Sequence, residues 1–318
     1  MKKLSIILIT LFMVPALFLT SCKKDEKVTF DSQKALTDYL VAQDLDLNKI
    51  LDGFVMPAPD DGNVSAKYVI DIRTADDFAL GHIEGAHRVN LADLLTEAAN
   101  AAGKDILVVC KTGQTATHAV ALLRLAGYPT AKALKWGMSG WNAAFDAWTP
   151  NIGNEAEGNA NWTTAVAPAN LTFASPKFTS TSTNGAEILN ERIAAVLADG
   201  FKTTTATDVI TNPGTYFINN YFSEADYLAF GHVNGAYRIQ PLLISEGQMN
   251  YLDGSKRVAT YCYTGQTSAA ITAYLRVIGY DAVTVLFGMN KFYNNSTAWT
   301  ANKWTSASPK NLPYVTGN

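Results

Sequence analysis

Cys110-Lys111-Thr112-Gly113-Gln114-Thr115 and Cys262-Tyr263-Thr264-Gly265-Gln266-Thr267 are the two stretches around which the rest of the chain arranges itself. Laid on itself at a shift of about 150 residues, the sequence repeats well beyond them. Gly81-His82-Ile83-Glu84-Gly85-Ala86-His87-Arg88 matches Gly231-His232-Val233-Asn234-Gly235-Ala236-Tyr237-Arg238. Leu123-Arg124 with Gly127-Tyr128 matches Leu275-Arg276 with Gly279-Tyr280, and Gly137-Met138 matches Gly288-Met289. Pro168–Leu171 echoes Pro309–Leu312. A period this long is a duplicated domain and not a solenoid. Each copy therefore carries one cysteine at the same place.

Within the first copy the pattern alternates strand and helix. Apolar residues at helical spacing behind an Asp/Ser cap predict a helix over Ser32–Val41. Short apolar runs predict strands over Tyr68–Ile72, Asp105–Val109 and Ala131–Leu134, with helices over Thr115–Ala126 and Ser139–Phe145. The fold class is α/β: two tandem domains, each a small parallel sheet with helices on both faces. The stretch Pro150–Pro176, rich in Asn, Ala, Thr and Pro, reads as a surface extension and linker. The resulting layout is 1–21 leader, 22–30 tether, 31–149 first domain, 150–177 linker and 178–318 second domain.

The leader has a positive start at Lys2-Lys3 and an apolar run from Leu4 to Leu19, closed by Thr20-Ser21-Cys22. That order is a secretory signal peptide, too short for a comfortable span of about 20 residues. Its end resembles a bacterial lipobox, which makes Cys22 the lipidated new N-terminus and Lys23 to Lys27 a solvated tether. Acyl chains contribute about 0.8 kcal/mol per buried CH₂. The expected location is therefore the cell envelope, lipid-anchored and extracytoplasmic. The net charge of −3, with no basic stripe, argues against nucleic acid as a partner. Four histidines, and no paired Cys or His at ligand spacing, imply no metal and no cofactor.

The chemistry sits where a strand ends at Val109 and a helix follows a short loop. Such a turn aims backbone N–H groups at one point, backed by the positive end of the helix dipole. A cysteine in that position is expected to be a thiolate at neutral pH, since comparable sites lie at roughly 3.5–7.5. His82 and His232 read as structural histidines that hold a turn. Thr115 and Thr267 either face the sulfur or cap the helix.

Val69-Ile70-Asp71-Ile72-Arg73, Asp77-Phe78 and Gly81-His82-Ile83-Glu84-Gly85-Ala86 resemble the strand and Gly-His-Ile-x-Gly-Ala signature of the rhodanese family. Cys110–Thr115 resembles that family's active-site loop, and Leu134-Lys135-Trp136-Gly137-Met138-Ser139-Gly140-Trp141 its later Gly…Trp segment. The likeness spans residues 60–148 and recurs, degraded, over 210–295. It implies transfer of sulfane sulfur from a small sulfur-containing anion such as thiosulfate to a thiophilic acceptor: a small thiol, cyanide or a protein thiol. By the same resemblance Cys110 and Cys262 are the nucleophiles and persulfide carriers. Lys111, Thr112, Gly113, Gln114 and Thr115, with Tyr263, Thr264, Gly265, Gln266 and Thr267, form the substrate loops. Arg88, Arg238, Asp71 and Arg73 are candidate pocket residues; for Arg88 and Arg238, which recur in both copies, the alternative is a plain ion pair that fixes the strand.

The copies are unequal. The second has Ile218-Asn219-Asn220-Tyr221-Phe222 in place of the Asp71-x-Arg73 segment, and Gly288-Met289-Asn290-Lys291-Phe292 in place of the segment ending in Trp141. The first domain is thus the better enzyme on sequence grounds. A cysteine phosphatase would need a Cys-x₅-Arg loop, but positions 116 and 268 are Ala and Ser. The rival from another class is a non-catalytic module of the same family that binds or senses sulfur species or a protein partner.

Overall fold

The computed structural model describes residues 30–317. The leader and Cys22 lie outside them. Among the described residues no helix is long and apolar enough to cross a membrane, and no cluster of three or more His, Cys, Asp or Glu could hold a metal.

In chain order the strands are β1 Val55–Met56, β2 Tyr68–Asp71, β3 His87–Arg88, β4 Ile106–Val109, β5 Lys132–Leu134, β6 Trp162–Thr163, β7 Thr203–Thr204, β8 Tyr216–Asn220, β9 His232–Val233, β10 Arg257–Tyr261 and β11 Ala282–Val285. The helices are α1 Ser32–Ala42, α2 Leu47–Leu51, α3 Ala75–Leu80, α4 Leu94–Ala98, α5 Gln114–Leu125, α6 Gly137–Trp141, α7 Gly185–Asp199, α8 Ala206–Thr211, α9 Glu224–Phe230, α10 Gln266–Val277 and α11 Met289–Phe292. Strands of the first half pair in the order β1-β5-β4-β2-β3, and those of the second in the order β7-β11-β10-β8. Every pairing in both sheets is parallel. This is the α/β architecture that the alternating pattern predicts.

Each central strand is buried on both faces, and its alternation feeds two cores. In β4, Ile106 and Val108 face the helical layer, whereas Leu107 and Val109 meet Met138 and Trp141 on the other side. The helical layer is common to both sheets. Leu36 and Leu40 of α1, Val120 and Leu123 of α5, Ile188 and Ile193 of α7, and Ile271 and Leu275 of α10 all share one core. The duplicated halves thus close over a single apolar layer rather than two separate ones.

Two boundaries differ from the sequence expectation. The stretch 153–163, read as linker, packs on the second copy: Ala156 N donates to Phe292 O of α11, and β6 pairs antiparallel with β9 in a separate two-stranded sheet. The C-terminal tail, read as part of the second domain, returns to the first. Leu312 N donates to Trp141 O, Trp141 Nε1 donates to Pro313 O at 2.7 Å, and Val315 bridges His82. The tail behind each copy lies on the other copy, held by buried apolar side chains that no local pattern reveals. The helix expected over Ser139–Phe145 divides at Asn142. That residue is extended (φ −150°, ψ 138°), and its side chain caps a separate 3₁₀ turn over Ala143–Phe145.

Candidate active site

Both cysteine loops are built the same way. β4 ends at Val109 and α5 begins at Gln114, with Gly113 in the left-handed region (φ +84°) as its N-cap. No side chain caps this helix, so Thr115 does not serve that role. The segment after β5 presses on the loop from below. Met138 N donates to Cys110 O at 2.8 Å, and Ser139 Oγ donates to Lys111 O at 2.8 Å. A Cβ on Gly137 would stand 2.3 Å from Cys110 O, which is why this position tolerates only glycine. In the second copy Met289 N donates to Cys262 O and Asn290 Nδ2 donates to Tyr263 O, repeating both contacts.

The environments of the two sulfurs differ. Cys110 Sγ accepts from Gly113 N at 3.1 Å and Ala116 N at 3.3 Å. Cys262 Sγ accepts only from Ser268 N, at 3.4 Å, and is 3.7 Å from Ser268 Oγ. Both are free thiols. Cys110 is 4% exposed and opens into a cavity of about 550 Å³. Cys262 is 1% exposed and does not line that cavity. Burial pushes the Cys110 thiol above its ordinary pKa, while N–H groups of Ala116, Thr112 and Gly113 pull it down without overcoming that effect. The sequence expectation of a thiolate at neutral pH omitted this desolvation.

Lys111, Thr112, Gln114 and Thr115 line the cavity, as expected of a substrate loop. Gly113 contributes its N–H from beneath. Lys111 is committed, with its Nζ 2.9 Å from Asp77 Oδ2. In the second copy Tyr263 OH reaches Asp226 from the equivalent place, and its ring stacks on Phe222 at 4.5 Å. A residue that pins the loop to the preceding helix is therefore retained in both copies, although its charge is not.

The arginine candidates fall elsewhere. Arg73 borders the cavity, but its guanidinium is spent on the carboxylate of Asp71, with Nη2 to Oδ2 at 2.6 Å, and on the carbonyls of Gly81 and Asp77. Asp71 is wholly buried behind it. Arg88 bonds Arg73 O and Asn90 Oδ1, and Arg238 lies 3.9 Å from Glu224. Neither reaches the cavity, which corrects their assignment as pocket residues. Arg88 is held by acceptors that follow β2 and β3, and Arg238 faces Glu224 of α9. His82 and His232 hold turns, as read from sequence. Each Nδ1 lies within hydrogen-bond distance of a carbonyl, that of Phe78 or Tyr227 respectively, and each ring stacks on the same residue.

The opposite wall of the Cys110 cavity was not foreseen. It comes from the second copy: Phe201, Thr203, Leu286 and Phe287. Gln114 fixes this arrangement across the interface, accepting from Phe287 N at 2.8 Å while its Nε2 donates to Thr112 Oγ1. From the other side, Thr117 Oγ1 donates to Gln266 O at 2.8 Å. Of the second loop, none of Tyr263, Thr264, Gly265, Gln266 or Thr267 lines this cavity.

A model of the rhodanese-like domain matches residues 58–144 and 221–295, together just over half of the chain. The chain belongs to the rhodanese-like domain family. Both matches contain a cysteine loop, so the rhodanese fold is present twice. No curated protein matches the chain. Among solved structures, a rhodanese-related protein from Thermoplasma volcanium is 22% identical over 27% of this chain and 88% of its own, with a TM-score of 0.25. A Rhodanese_3-like domain from an Anabaena protein is 32% identical over 25% of this chain and 93% of its own, with a TM-score of 0.23. A thiosulfate sulfurtransferase from Pseudomonas aeruginosa is 16% identical over 86% of this chain and 49% of its own, with a TM-score of 0.29.

Proposed function

We propose that this tandem rhodanese protein is a sulfurtransferase in which Cys110 carries the sulfur. The observation that supports it most directly is Cys110 Sγ held by two backbone N–H groups at the floor of an open cavity. In the first half-reaction the Cys110 thiol gives its proton to solvent, and the thiolate attacks the outer sulfur of a donor such as thiosulfate. A new S–S bond forms, the donor's S–S bond breaks, and sulfite leaves with the electron pair. In the second, a thiophilic acceptor (cyanide, a small thiol or a protein thiol) attacks the terminal sulfur of the persulfide and regenerates the thiolate. The N–H groups of the loop stabilise the anion at each stage, a preorganised arrangement that needs no metal.

Cys262, with one N–H and no share of the cavity, is assigned a lesser or structural part. The leader and Cys22 favour work at the cell envelope, on a lipid anchor. The family also includes modules without turnover, and the burial that raises the Cys110 pKa favours that second reading.

A thiosulfate:cyanide assay of the full chain distinguishes the two. We expect Cys110→Ser to abolish thiocyanate formation and Cys262→Ser to retain most of it. Sulfur loading accelerates as pH rises from 7 to 9, because the thiolate fraction grows. No turnover at any pH in this range, with binding of sulfur anions retained, would establish the non-catalytic module instead.

A further inference from the structure

Each copy carries a second cavity at the end of its sheet opposite the cysteine loop. The loops follow β4 and β10, whereas these cavities open where β2 and β8 begin, beside the lysine just ahead of β4 or β10. Their volumes are about 520 and 410 Å³, inside the range of about 300–1,000 Å³ for small-molecule sites.

The duplication makes their common features readable. By strand register Tyr68 answers to Phe217, His87 to Tyr237 and Lys104 to Lys256. By the repeat, Glu84 answers to Asn234. The two aromatic residues of each copy are stacked: Tyr68 on His87 at 4.4 Å and 14°, Phe217 on Tyr237 at 4.5 Å and 14°. Phe217 is buried and Tyr237 half-buried, while the His87 side chain is 51% exposed. The reciprocal tails complete the likeness. Leu171-Thr172-Phe173 and Leu312-Pro313-Tyr314 are matching segments, and Phe173 and Tyr314 each line the cavity of the other copy.

The polar groups at both rims are unspent. Glu84, Lys104, Asn234 and Lys256 are exposed, and among the described residues their side chains have no hydrogen-bond or ion-pair partner. Lys67, by contrast, is held by Asp105 at 2.8 Å. Glu84 and Lys104 cancel in charge at the first cavity, and Asp253 balances Lys256 at the second. An ion gains little from such a rim. A neutral ring rich in hydroxyls gains donors, acceptors and an aromatic surface for its C–H face together.

We propose that the chain binds neutral carbohydrate, one sugar ring in each of these two cavities. His87 and Tyr237 are the platforms on which the rings pack. Glu84 with Lys104, and Asn234 with Lys256, bond the hydroxyls. This binding is separate from the sulfur chemistry and does not depend on Cys110.

The test titrates the full chain with cellopentaose, maltopentaose and penta-N-acetylchitopentaose as neutral probes and with pentagalacturonate as a charged one, by calorimetry and saturation-transfer NMR. At least one neutral probe should bind, with transfer strongest at its ring C–H protons. Glu84→Ala/Lys104→Ala and Asn234→Ala/Lys256→Ala change exposed positions only, and each should remove one of two sites. The variant combining all four should weaken binding about tenfold or more, the worth of a few lost hydrogen bonds. His87→Ala should act like the first pair. Sulfur loading of Cys110 and the melting temperature should stay as in the parent in every variant. The proposal is overturned if no neutral probe binds, if the combined variant binds as the parent does, or if pentagalacturonate binds more tightly than every neutral probe. None of these results touches the sulfurtransferase reading.

Discussion

At the scale of the residue, the difference between the copies is sharpest in the pair Asp71 and Arg73. Their equivalents by strand register are Asn220 and Phe222, because Asp71 pairs with Val109 before one cysteine and Asn220 with Tyr261 before the other. The local turn survives the exchange: Arg73 N donates to Asp71 Oδ1 at 3.0 Å, and Phe222 N to Asn220 Oδ1 at 2.9 Å. What changes is a buried ion pair for an amide and an apolar ring. Removing one partner of a buried pair leaves an uncompensated charge, at about 3–5 kcal/mol. Asp71→Asn should therefore destabilise the protein by roughly that amount in urea unfolding. The double variant Asp71→Asn/Arg73→Phe, which copies the second domain, should recover at least half of the loss. A double variant no more stable than the single would show that Arg73 is needed for its bonds to Gly81 and Asp77 carbonyls rather than for its charge.

At the scale of the element, the reciprocal tails decide how the halves stay together. Leu312 is 7% exposed against Trp141, and Lys310 Nζ reaches Ala58 O and Asp60. Leu312→Ala should cost about 2–5 kcal/mol by transfer and cavity terms. The Cys110 cavity lies apart from this contact, so sulfur loading of the folded protein should be unchanged in the variant. A melt showing less than 0.5 kcal/mol of loss would mean that the tail is not seated on the first domain. The repeat, the parallel strands and both cysteine loops were legible in sequence, because strand runs and Gly-rich turns are local signals. The tails were not, since Trp162 and Leu312 look like any surface-exchangeable apolar residue until their partners, more than sixty residues away, are known. Nor was the second-copy wall of the cavity. Its one trace was the equivalence of Trp136 and Phe287, each in the left-handed region ahead of a glycine at the two matching turns.

At the scale of the whole molecule, α5 and α10 bring the two cysteine loops to one interface. That contact contains His118, fully buried, with neither ring nitrogen hydrogen-bonded. Burial, with Arg276 nearby, lowers its pKa to about 3. In the unfolded chain the imidazole takes up a proton below about 6.5, and in the folded chain it does not. Stability should thus be full above 6.5 and fall as pH drops from there towards 3, by about 1.4 kcal/mol per pH unit from this group. His118→Leu should flatten that limb in urea unfolding at pH 7, 5.5 and 4.5; an unchanged slope would place the acid sensitivity elsewhere. The same interface explains why pocket arginines inferred from single motifs, Arg88 and Arg238, fell outside the site. The cavity is shaped by two copies at once, and a motif within one copy carries no information about the other. That Cys110 carries the sulfur is tested most directly by which cysteine is loaded. Incubating the parent chain, Cys110→Ser and Cys262→Ser with thiosulfate, then weighing each intact protein, should add the mass of one sulfur atom to the parent and to Cys262→Ser and nothing to Cys110→Ser. Loading that persists in Cys110→Ser and disappears in Cys262→Ser would contradict it.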